Sequence, residues 1–114
     1  MKLLPIFFVK REYLEAIERG EKKAEIRIGK RWARIARAIE NGKIKPIAIF
    51  VSGSRRIVMH IKRVEVYPTI KSALRSKRWK KLGLKAMSFK SAVNEIRKLY
   101  GKTKRKPVVI FWLK

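Results

Sequence analysis

The polar residues best suited to chemistry lie together in Gly20-Glu21-Lys22-Lys23-Ala24-Glu25-Ile26-Arg27. The alternation predicts a strand over 24–28, with Ala24, Ile26 and Ile28 on one side and Glu25 and Arg27 on the other. Lys22 stands just before it. Two cations and one carboxylate then share a small volume. Such a group can bind a phosphate or the edge of a base, with Glu25 orienting a cation or accepting from an amino group. The same spacing also suits a plain surface salt bridge between Glu25 and Arg27.

Other chemistries are poorly supplied. There is no cysteine, so thiolate zinc sites, disulfides and Cys nucleophiles are excluded. All eight acids are Glu, and the missing Asp removes the usual Mg²⁺ ligand of a two-metal polymerase or nuclease site. No metal and no cofactor are expected. His60 stands without a second His, Cys or Asp, in opposite phase to Met59 and Ile61, and reads as a structural or surface residue.

Charge points to the partner. The chain has 32 Lys plus Arg against 8 Glu, a net charge of +24 on 114 residues. Self-repulsion of that size works against a compact state unless a polyanion offsets it. Nucleic acid is the expected partner, since phosphates attract Lys and Arg and release counterions on binding. The residues expected to meet phosphate are Arg31, Arg34 and Arg37 on one helix, then Lys77, Arg78, Lys80, Lys81, Lys102, Lys104, Arg105 and Lys106. Trp79, among these cations, either stacks on an unpaired base or covers one end of the fold. A membrane is not expected: no apolar run approaches the ~18 residues of a span, and no helix shows a wide insertion face. The start, MKLLPIFFVKRE, lacks the features of a signal peptide, so the cytoplasm is the expected location. Enrichment in Glu and Lys suits a heat-loving organism. Phosphate attraction alone does not separate RNA from DNA.

The elements that must position these residues follow from periodicity. Leu3–Val9 is an apolar run suited to a buried strand, with Pro5 marking an edge or bulge. Arg11–Arg19 reads as a helix ended by Gly20, and Lys30–Glu40 as a helix with Trp32, Ile35, Ala36 and Ile39 in one stripe. Ile47–Val51 and Arg56–Tyr67 are strands, the second changing phase near Lys62-Arg63. Thr69 or its neighbour caps a short helix running to about Ser76. Ser88 caps another, with Phe89, Val93, Ile96 and Tyr100 in its stripe, and Val108–Leu113 is the last strand. Trp32, Phe111 and Trp112 read as core. At 46 % apolar the chain can bury a core. The expected fold is α+β: one domain over 1–114, a small, mostly antiparallel β-barrel with flanking helices, assumed monomeric.

The segment Gly20-x-Lys22-x-x-Glu25-x-Arg27, with a strand and helix before it and a hairpin, a helix and the strand Val108-Val109-Ile110-Phe111 after it, resembles the signature of the ASCH domain, a family of the PUA-like superfamily. The resemblance covers nearly the whole chain. It implies a PUA-like barrel, a cleft lined by Lys22, Glu25 and Arg27, and binding of structured RNA such as tRNA or rRNA. One departure is Asn41-Gly42-Lys43, where many members carry a Gly-Asp pair. An amidohydrolase branch acts on acetylated cytidine with a Lys, a Thr and a Glu. Lys22 fits the first position, but Glu25 occupies that of the Thr, and Lys85 lies near that of the Glu. A ribonuclease branch remains open. Metal-free cleavage needs a base near the 2′-OH and a cation near the phosphate, roles that Lys22, Tyr13 or Ser52 can be assigned. A third possibility is a structural ribonucleoprotein subunit whose cleft is idle.

Overall fold

The computed structural model describes residues 4–75, 78–82, 88–100 and 106–114. The order is β1 (Ile6–Phe8), α1 (Arg11–Glu18), β2 (Ala24–Ile28), α2 (Lys30–Glu40), β3 (Ile47–Ser52), β4 (Arg55–Tyr67), α3 (Ile70–Leu74), a 3₁₀ turn (Arg78–Lys81), α4 (Phe89–Tyr100) and β5 (Val108–Leu113). The strands form one sheet in the order β1-β3-β4-β5-β2, curled into a half-barrel. All pairs are antiparallel except β1 with β3. This is the α+β architecture of mostly antiparallel strands with flanking helices that the sequence predicts. The barrel does not close, because β1 and β2 are its edges.

The six apolar residues of β5 explain the layering. Every one is buried. Val109, Phe111 and Leu113 enter a core with Phe7, Leu14 and Phe50 inside the curl. Val108, Ile110 and Trp112 enter a second core, which α3 and α4 cover from outside. A continuous apolar run is what burial on both faces requires. The phase change in β4 is a register shift between Ile61 and Arg63 against β5. It lets one long strand serve both parts of the sheet. Thr69 caps α3 by accepting from Ser72 N at 3.1 Å. Ser88 accepts from Ser91 N at 3.2 Å and so caps α4.

Two glycines set the site's position. Gly20 has φ +76° after α1, and the next two amides both donate to Ala16 O, so Lys22 leaves the helix in a fixed place. Gly29 has φ +128°, a conformation L side chains rarely adopt, and turns β2 straight into α2. The first strand differs from expectation. It is buried on one face only: Phe7 points in, while Ile6 and Phe8 point out. An edge strand on an open sheet has only one covered side. Among the described residues, no helix is long and apolar enough to cross a membrane.

Candidate functional site

The site occupies the gap where the barrel fails to close. A cleft of about 190 Å³ opens there, walled by β1, α1, β2 and α4. Lys22, Glu25 and Arg27 line it, with Tyr13, Leu82 and Tyr100 among their neighbours. The three charged residues do meet, but not at the surface. Lys22 is 4 % exposed and Glu25 5 %. The plain surface salt bridge therefore does not describe this group.

Glu25 sits between the two cations. Its Oε1 is 3.2 Å from Lys22 Nζ and its Oε2 is 3.1 Å from Arg27 NH2. Lys22 also donates to Ala24 O at 2.8 Å and to Leu82 O. Three acceptors thus meet the three N–H donors of one ammonium group. Arg27 reaches across the open seam and donates to Phe8 O at 2.8 Å. Its guanidinium lies 5.2 Å from the Phe7 ring centroid and 5.3 Å from that of Trp32. Those two rings stack at 4.8 Å. Aromatic faces suit a weakly hydrated guanidinium. Arg27 Nε is buried without a hydrogen-bond partner among the described residues.

The free edge of β2 is also closed by side chains. Ile26 N donates to Glu25 Oε1 at 3.2 Å, and Tyr100 OH donates to Ile26 O at 2.7 Å. Side chains here replace the neighbouring strand that a closed barrel would supply. Burial pushes the Tyr100 phenol above its ordinary value, and the Glu25 carboxylate adds to the effect. Tyr13 is raised as well, by burial first and then by Glu95, Glu12 and Glu25. Both hydroxyls thus stay protonated at neutral pH. Tyr100→Phe is expected to cost about 1 kcal/mol in urea unfolding at neutral pH. A raised phenol stabilises the fold below its unfolded pKa near 10, and this contribution drains away as pH rises further. The difference between wild type and Tyr100→Phe should therefore shrink above about pH 10.

Three contributors to the site are not evident from the sequence. Tyr100 reads as one more apolar-stripe residue, and the only signal of its role is a hydroxyl at the end of that stripe. Trp32 reads as core, yet it holds Arg27. Phe8 reads as buried, yet it is 73 % exposed at the cleft rim. Ser52 pairs with Arg55 in the β3–β4 hairpin and does not line the cleft. His60 is exposed on β4.

The basic surface is partly described. Arg31, Arg34 and Arg37 are exposed along α2, and Arg31 lies 5.3 Å from the Trp32 centroid. Among the described residues, no ion pair engages these three. Lys80, Lys81 and Lys106 are exposed. Trp79 packs against the outer core, with Lys80 Nζ 5.6 Å from its centroid. Lys77, Lys102, Lys104, Arg105 and the Arg78 side chain lie outside the described residues. No three His, Cys, Asp or Glu side chains gather as a metal-holding group among the described residues.

Solved structures share this architecture. The hypothetical protein PH0355 superposes with a TM-score of 0.75 at 23 % identity, over 98 % of both chains. PF0455 from Pyrococcus furiosus gives 0.69 at 18 % identity, over 98 % of this chain and 96 % of its own. The ASCH protein of Zymomonas mobilis gives 0.59 at 13 % identity, over 96 % of this chain but 65 % of that one. No family model matches the chain, and no curated protein matches its sequence. The likeness is one of fold, and it is the fold of ASCH structures.

Proposed function

From an ASCH-type, PUA-like fold with a charged cleft at its open seam, we propose that this protein binds structured RNA, of the tRNA or rRNA kind, in the cytoplasm. Two layers of contact share the task. Exposed cations on α2 and the 3₁₀ turn, with Lys106, hold phosphates and supply affinity, and the sequence adds Lys77, Lys102, Lys104 and Arg105 to the same role. The cleft accepts one nucleotide and supplies selectivity. The observation that carries the reading is the net charge of +24 on the chain, together with an α2 face whose three arginines have no ion-pair partner among the described residues.

A metal-independent ribonuclease in the same cleft is the rival. What weighs against it is the state of the candidate bases. The Lys22 donors are all engaged, the phenols of Tyr13 and Tyr100 are held protonated, and Ser52 lies away from the lining. None is free to take a proton from a 2′-OH.

Incubation of end-labelled tRNA with the protein and a chelator, read on native and denaturing gels, separates the readings. The expected result is retarded and intact RNA. Absence of retardation in dilute buffer contradicts the proposal. Cleavage that disappears in Lys22→Ala would transfer the cleft to the ribonuclease.

A further inference from the structure

Phe8 is the most exposed large apolar side chain among the described residues, at 73 %. The strand period dictates this: Phe7 takes the inward position and Phe8 the outward one. Its place is fixed. Phe8 O accepts from Arg27 NH2 at 2.8 Å, so the rim of the cleft is tied to its floor. Lys10, exposed two residues later, lines the same rim, and Leu99 from α4 stands on the far wall, 40 % exposed. In the cross-strand row Phe8–Val51–Arg56, the far end is another exposed cation.

An open aromatic face among cations beside a small cleft suits an unpaired base and its phosphate. It suits a second copy of the chain poorly, because each copy carries +24. It also suits continuous duplex poorly, since stacked and paired bases offer no free face. The geometry points to Phe8 as a stacking platform for the base next along the strand from the one entering the cleft. The RNA read by this protein therefore presents a looped or single-stranded segment at the seam. This rests on the cleft being a nucleotide site.

The test is a set of affinities for a labelled 12-mer of oligo(A) and for a blunt RNA duplex of equal length. Wild type, Phe8→Ala and Phe8→Trp are compared at one salt concentration. Phe8→Ala should weaken the single strand about 5- to 140-fold, leave the duplex unchanged and keep the wild-type Tm. Phe8→Trp should bind the single strand at least as tightly as wild type. If wild type binds both RNAs and Phe8→Ala binds them equally well, the stacking role is overturned while RNA binding stands. If wild type binds neither, the proposed function fails first. A shift of oligomeric state in Phe8→Ala would overturn the inference by making this face a contact between copies.

Discussion

Glu25→Ala should lower stability by about 3–5 kcal/mol, because it leaves the buried Lys22 and the partly buried Arg27 without their shared counter-charge. The carboxylate accepts from Lys22, from Arg27 and from the Ile26 amide. Lys22 and Glu25 are each at most 5 % exposed, so water cannot take over. The loss should appear as a Tm about 12–20 °C lower. Lys22→Met in the Glu25→Ala background should recover part of it, since it removes one stranded ammonium. Glu25→Gln should fall between wild type and Glu25→Ala, keeping hydrogen bonds but not charge. A loss below about 1 kcal/mol in Glu25→Ala would mean the group behaves as an exposed ion pair.

The same burial bears on function. Glu25 neutralises one of two cations, so the cleft floor keeps a net positive charge beneath largely apolar walls. A pocket of that kind can admit a planar, mostly apolar ring while favouring an anionic attachment. Its rigidity comes from the fold. Arg27 is clamped by Phe7, Trp32 and Phe8 O, from two further elements.

Much of this is legible in the sequence for local reasons. Glu25 and Arg27 share a side because a strand has period two. Gly20 and Gly29 mark the ends of elements because only glycine is at ease at their φ values. The apolar run of β5 announces a strand. What stays hidden depends on distant partners. The burial of Lys22 needs Leu82, sixty residues away, to supply a carbonyl. The Tyr100 hydroxyl is useful only because β2 has no strand beyond it. Phe8 looks like core until the sheet order makes β1 an edge, a role that Pro5 hints at but does not fix. The parallel pairing of β1 with β3 depends on how the chain wraps, which alternation does not encode.

The second large effect is electrostatic and reaches the whole surface. Arg31, Arg34, Arg37, Lys80, Lys81 and Lys106 are six described candidates for phosphate contact. Six contacts predict a slope of roughly −4 to −5 for log affinity against log salt, and hence a loss of about 10³-fold between 50 and 200 mM. Changing the three α2 arginines to Gln should remove roughly 2–3 from the size of that slope. Because these side chains are exposed, the Tm of the triple variant should hold or rise as self-repulsion falls.

Salt titration of tRNA binding by the unaltered protein is the most direct test. The account predicts a steep straight line whose slope becomes shallower in the α2 variant. A flat line, or no binding even in dilute buffer, would contradict the claim that this basic surface exists to meet a polyanion.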